Sequence, residues 1–271
     1  MNANVSAIAI FLALGFSIPA QAIDMKVMRD QGGCPGCKMH LAAMRAMDLP
    51  DANFDAAILR EADLKDANLP GARFVGADLR RTELEKANLT GADFTRASMR
   101  GVDLEKSLLD GAQFAGQVDL RSSDFYGASL QNANLEEADL RWAFMRRSNA
   151  TKAIFRNAKM NDVDLERSTA DGADFSGADL ENADLGRAHM VGTNFSGTDL
   201  TAADLSSVNF TGANLRGANL EHALLRRTNF SGADLSDVQG LAEKRLALAC
   251  GDATTRLPRG FKIKLCSAEA E

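Results

Sequence analysis

The chain has 271 residues, 45% of them hydrophobic, with one Trp, one Tyr, five Pro and a formal net charge of −6. That length suffices for one large domain or two small ones, and so modest an acidic balance singles out no oppositely charged partner. Few aromatic and proline residues beside abundant Ala, Leu, Gly and Asp argue for a repeated unit and against a mixed globular core.

The first 22 residues read as a secretory leader. An apolar run from Val5 to Ile18 precedes Pro19 and the small-residue stretch Ala20-Gln21-Ala22, which has the form of an A-x-A cleavage site. The segment before the run departs from the pattern, since it holds no Lys or Arg. The run is shorter than the roughly 18 residues a membrane span requires. The expectation is cleavage after Ala22, a mature chain with no membrane span, and a periplasmic or secreted location, where disulfides persist.

Next in the chain, at residues 23–36, comes a short cap with the pair Cys34 and Cys37 in QGGCPGCKMH. A C-x-x-C pair serves redox chemistry, half a zinc site or, when His follows, haem attachment. Lys38 stands where haem attachment needs His, and no βαβ pattern follows to support thioredoxin-like chemistry. Zinc asks for four ligands, and only His40 is near the two thiols. Met25, Met28, Met39, Met44 and Met47 bring soft sulfur that would suit Cu(I). The favoured reading is a structural bridge, with Met39 and Met44 as core residues and no cofactor.

From residue 37 to 238 the chain repeats every five residues, as in GADFSGADLENADL at 172–185. Neither a helix, with 3.6 residues per turn, nor a strand, with two, divides five. Centres stepped by five run from Met39 to Phe114 and, after one extra residue in AGQVD, from Leu120 to Leu235: 40 centres, each Leu, Phe, Met or Ala. The position two before each centre is nearly always Ala, Ser, Thr or Val, with Cys37 and Met47 as early exceptions. Two inward positions two apart describe a short strand. The intervening Asp or Asn then faces outward, and the other two residues, often ending in Gly, form a corner. Phe54, Phe74, Phe94 and Phe114 recur at 20 residues, as do Phe155, Phe175 and Phe195, and Phe210 and Phe230. Twenty residues per recurrence means four sides per coil.

These A(D/N)Lxx units resemble the pentapeptide-repeat family. The resemblance implies an all-β fold, a right-handed quadrilateral β-helix; at about 4.8 Å per coil, about ten coils give a rod of roughly 48 Å. The tail, residues 239–271, looks like the C-terminal cap of some exported members. It reads as a helical stretch near Leu241 to Cys250, a turn-rich segment and the alternating FKIKL. The resemblance implies a Cys250–Cys266 disulfide worth about 3 kcal/mol in loop entropy.

No catalytic constellation is legible, and an enzyme is not expected. His189 and His222 sit at outward positions on different sides, and neither a Walker loop nor H-E-x-x-H nor G-x-G-x-x-G occurs. Function is sought instead where outward positions break their own rule. Residues 141–160 carry Arg141, Arg146, Arg147, Lys152, Arg156 and Lys159 and no acid, whereas 162–204 hold ten acidic residues against Arg167 and Arg187. The basic coil also presents Trp142, Phe144 and Ile154, with Tyr126 one coil before Arg146. Aromatics with arginine favour interfaces, so Tyr126, Trp142, Phe144, Arg146, Arg147, Ile154 and Arg156 form the candidate partner patch. A competing reading stacks Arg146 on Glu166, Arg156 on Glu136 and Lys159 between Asp139 and Asp179, as exposed pairs worth at most about 1 kcal/mol each.

The expected function is a non-enzymatic exported scaffold that binds a protein partner. A homodimer formed end to end is left open, and nucleic acid is not an expected ligand. Some family members resemble duplex DNA and bind a type II topoisomerase. Interspersed basic residues and the leader weigh against that role here, and a copper or redox role of the Cys34–Cys37 cap stands third.

Overall fold

The computed structural model describes residues 25–266; the leader and its cleavage site lie outside them. From Gly33 onward the chain climbs as a four-walled coil. Residues 20 apart face each other in parallel bridges, from Gly33 against Asn53 to Asn219 against Gln239. With a corner every five residues, each wall holds one bridging residue per coil, too little for a continuous strand.

The repeat around Phe175 shows why this sequence closes its own backbone accounts. The Asp174 amide donates to Ala153 O below at 3.0 Å, and those of Phe175 and Gly177 donate to Asn194 O and Ser196 O above at 2.8 and 3.0 Å. The Ala178 amide turns back to Phe175 O at 3.0 Å. One amide remains, that of Ser176, and the Asp174 side chain accepts it at 3.0 Å. The outward Asp or Asn is therefore a structural residue: it supplies the acceptor that ladder geometry leaves missing. Its recurrence needs no ligand to explain it.

Inward residues fill the axis. The Phe rings at 54, 74, 94 and 114 stack at 5.3, 5.1 and 5.0 Å, and those at 155, 175 and 195 at 4.7 and 4.8 Å. The extra residue is absorbed at one corner, where Gln117 takes a left-handed φ of 58°. Across it Gln113 pairs with Asn134, and Asn134 with Ile154, so both Phe columns share one wall. Phe210 and Phe230 stack behind the adjoining wall, Phe210 meeting Phe195 edge-on at 5.4 Å. Inward hydroxyls bond nearby carbonyls, as Thr82 does to Leu59 O at 2.8 Å.

Both ends are covered. Helix α1, Met25–Gln31, buries Met28 beneath the first coil. Gly33 lets the chain turn into the ladder: at its φ of 129° a Cβ would lie 2.3 Å from the Asn53 carbonyl oxygen. Cys34 then takes a centre position, its amide bonded to Asn53 O at 2.7 Å, and is joined to Cys37 by a disulfide.

At the far end helix α2 is only Glu243–Leu246, shorter than the expected helical stretch. The physical reason is competition for backbone. The Cys250 amide donates to Thr228 O and its carbonyl accepts from Phe230 N, so the chain is extended again by Cys250 to add a rung. Strands β1, Cys250–Gly251, and β2, Lys264–Leu265, pair in parallel, tied by the Cys250–Cys266 disulfide. Leu246 and Ala249 bury fully over the last coil, which removes an open apolar edge.

The Asp252 carboxylate pins this cap. Its hydrogen bonds to Thr254 hold it down at about 2, and it also accepts from the Gly232 amide of the last coil and from Thr255. A depressed carboxylate pKa stabilises above its unfolded value and loses that effect as pH falls through the folded one. Amide exchange at Gly232 and Cys250 is therefore expected to accelerate between about pH 4 and 2, and Asp252→Asn should abolish that step.

Candidate interaction surface

The wall that follows the corner at Arg141 and Trp142 is a column of carboxylates interrupted twice. Its bridging residues are Asp63, Glu83, Asp103, Asp124, Phe144, Asp164, Asp184, Asp204 and Leu224. Burial raises the pKa of both Asp103 and Asp164, and Arg146 opposes the rise at Asp164. Phe144 stands 52% exposed among these acids, and Trp142, on the adjoining corner, is 48% exposed. The Arg141 guanidinium lies 5.5 Å from the Trp142 ring centroid and is bound bidentately to Asp139 at 2.8 and 2.6 Å.

The structure divides the sequence-derived patch. Tyr126, Arg146 and Arg147 occupy the next corner, on the other edge of the Phe144 wall. Tyr126 is half-buried, with the Lys106 ammonium 5.8 Å from its ring. Ile154 lies ten residues past Phe144, half a coil away, on the opposite wall; Arg156 follows at that wall's far corner. Trp142, Phe144, Tyr126, Arg146 and Arg147 can thus meet one partner face, and Ile154 with Arg156 cannot join them.

Inter-coil pairing engages part of the basic set. Arg146 bonds Glu166, with Asp164 at 3.6 Å. Arg156 grips Glu136 at 3.1 and 3.0 Å, with Asp174 at 3.8 Å, and this lowers the Glu136 pKa. Lys159 bridges by backbone between Asp139 and Asp179. Arg147 makes no ion pair among the described residues. Three bridging positions of this coil, Phe144, Ile154 and Lys159, lack the Asp or Asn that would accept the amide two residues on. The coil forgoes that local bond at three walls, the signature of a surface shaped by something other than its own folding.

Cys34 and Cys37 are joined to each other, as are Cys250 and Cys266. Among the described residues no group of three or more His, Cys, Asp or Glu side chains is placed to hold a metal ion. In the same residues no helix is long and apolar enough to cross a membrane.

A hydrocarbon axis inside four short-sided walls, with every binding feature on the outside, defines a repeat solenoid that acts through its surface. The chain belongs to the pentapeptide-repeat family: the family model, "Pentapeptide repeats", matches in eight copies between residues 37 and 238. Membership carries the right-handed quadrilateral β-helix with it. Solved structures resembling the chain include HetL, a pentapeptide repeat protein involved in heterocyst differentiation regulation from Nostoc sp. strain PCC 7120. It is 27% identical over 80% of this chain and 92% of its own, with a TM-score of 0.39. Rfr23 from Cyanothece 51142 is 35% identical over 35% of this chain and 63% of its own, at 0.31. QnrB1, a plasmid-mediated fluoroquinolone resistance protein, is 18% identical over 80% of this chain and 93% of its own, at 0.40. No curated protein sequence matches the chain significantly.

Proposed function

We propose that this protein is an exported, non-enzymatic scaffold that presents a rigid surface to a protein partner in the periplasm or cell envelope. The observation that carries the proposal is the pair Trp142 and Phe144, both about half exposed, at one wall edge among carboxylates. Exposed aromatics beside arginine are the residues from which interface centres are made. The two disulfides and the A-x-A stretch support export. A DNA-mimicking role is weaker, because arginine-bearing corners flank the acidic wall on both edges. A copper role for Cys34 and Cys37 would first require reduction of their bond.

The test is crosslinking in the native host, with wild type set beside Trp142→Ala and Phe144→Asp. Phe144→Asp restores the acid of its column and an acceptor for the Arg146 amide, so it should fold. Loss of one crosslinked species in both variants is the expected result; identical profiles would remove this surface. Recovery of a chain beginning at Ile23 in the periplasmic fraction tests export separately.

A further inference from the structure

Two corners of the rod carry rows of arginine, and they differ in what lies beside them. On the corner that ends in Trp142, Arg80, Arg121 and Arg141 are each bound within their own repeat, to Asp78, Asp119 and Asp139 at 2.6–2.7 Å. Those guanidiniums are neutralised in place. The corner between the Phe144 and Asn149 walls is different. Arg147, Arg167, Arg187 and Arg227 occupy its left-handed positions, with φ of 57–60°, and stack along the rod through Glu166, Gly186, Ser206 and Arg226 carbonyls. The first three stand in consecutive coils, and Ser207 fills the next place.

This ridge carries a surplus of positive charge. Glu166 is its only acid over these coils, and it already meets Arg146, Arg167 and Arg187. Arg147 and Arg227 make no ion pair among the described residues. On one side Asp164, Asp184 and Asp204 each accept the backbone amide two residues on, at 2.8–3.0 Å. On the other side the wall is uncharged at neutral pH in its bridging residues: Asn149, Thr169, His189, Asn209 and Asn229. Where Gly186, Ser206 and Ser207 replace bulkier corner residues, a groove of about 440 Å³ opens between Arg187 and the Arg226–Arg227 pair.

We propose that this ridge binds a linear polyuronate, a chain of pyranose rings with one carboxylate per ring. The register argues for it. The arginines repeat once per coil, about 4.8 Å, close to the length of one pyranose residue in an extended chain, so successive carboxylates meet successive guanidiniums, which hold carboxylates bidentately. The amide and hydroxyl wall offers partners for ring hydroxyls, and the Gly186 groove accepts a ring where Ser207 interrupts the row. An extended acidic peptide fits poorly, since side chains on one face of a strand recur at about 6.6 Å. Single-stranded nucleic acid is bound on aromatic platforms, which this ridge lacks, and a duplex would overlie the Asp164–Asp204 column. The inference stands on the ridge alone and is independent of the Trp142–Phe144 surface.

The experiment measures retention of the purified chain on immobilised polygalacturonate, with dextran, inorganic polyphosphate and duplex DNA as competitors. Saturable, salt-sensitive retention is expected, resisted by none of the competitors at equal monomer concentration. Arg167→Gln/Arg187→Gln and Arg147→Gln/Arg227→Gln should each weaken it about tenfold. The second pair breaks no ion pair, so it keeps the test open if the first perturbs the corner. Arg80→Gln/Arg121→Gln on the other edge should leave retention unchanged. Retention no better than on dextran, equal losses from the two edges, unchanged binding in both ridge variants, or competition by polyphosphate or DNA at least as strong as by free polygalacturonate would each overturn the proposal.

Discussion

Phe175→Ala should destabilise the rod by about 3–5 kcal/mol, the range for truncating a fully buried ring that cannot be replaced by collapse of its surroundings. Collapse is resisted because the ring is held from both sides, at 4.7 Å by Phe155 and 4.8 Å by Phe195, and the coil spacing is set by backbone ladders above and below. The effect should also be local. In a repeat array each coil contacts only its neighbours, so amide exchange at Asp174, Phe175 and Asn194 should rise most while the coils around Phe74 stay protected. Chemical denaturation monitored beside site-resolved exchange would show this. Phe144→Ala is the control: same residue type, outward and half exposed, expected within about 0.5 kcal/mol of wild type. Equal costs at the two positions would contradict a packed axis.

Removing the Cys250–Cys266 bond, as the double alanine variant, should cost about 3 kcal/mol on the chain-entropy account, given the 16-residue separation of its ends. The loss falls on the cap. Leu246 and Ala249 would lift from the final coil, exposing the Phe230 and Leu235 layer and the unpaired backbone above it. Such an edge recruits another edge, so concentration-dependent association is expected in the variant and not in wild type, by light scattering against sedimentation. The Cys34–Cys37 bond closes a loop of only three residues, and its removal should cost less. An undiminished midpoint and unchanged mass in the Cys250→Ala/Cys266→Ala chain would show that packing alone holds the cap.

Much of this architecture is written in local chemistry. An apolar residue at every fifth position, with a small one two before it, leaves the chain no way to bury its hydrocarbon except around a tube with four sides. Phe rings 20 residues apart then identify the coil length. What that pattern hides is the second reason for its own Asp and Asn residues, since the acceptor for the Ser176 amide is missing only once the ladder exists. Helix α2 was legible as a tendency at 241–250, but its length was decided by tertiary bonding, because the Thr228 carbonyl and Phe230 amide claim Cys250 for a rung.

The surface follows the same division. Sequence alone determined that residues 141–160 break the outward rule, because the anomaly is one of residue type and needs no coordinates. Neighbours along a coil are not neighbours in space, however. Ten residues carry the chain half way round, which sets Phe144 and Ile154 on opposite walls, while 20 residues bring Arg147 and Arg167 together on one corner. Which charges are neutralised and which stand free was decided only by tertiary structure. Arg141 and Arg147 are alike in sequence, but Asp139 lies beside the first and no carboxylate is paired with the second. Hydrophobic period sets the tube through contacts repeated at every step, and a binding face depends on single contacts between coils, which no local pattern encodes.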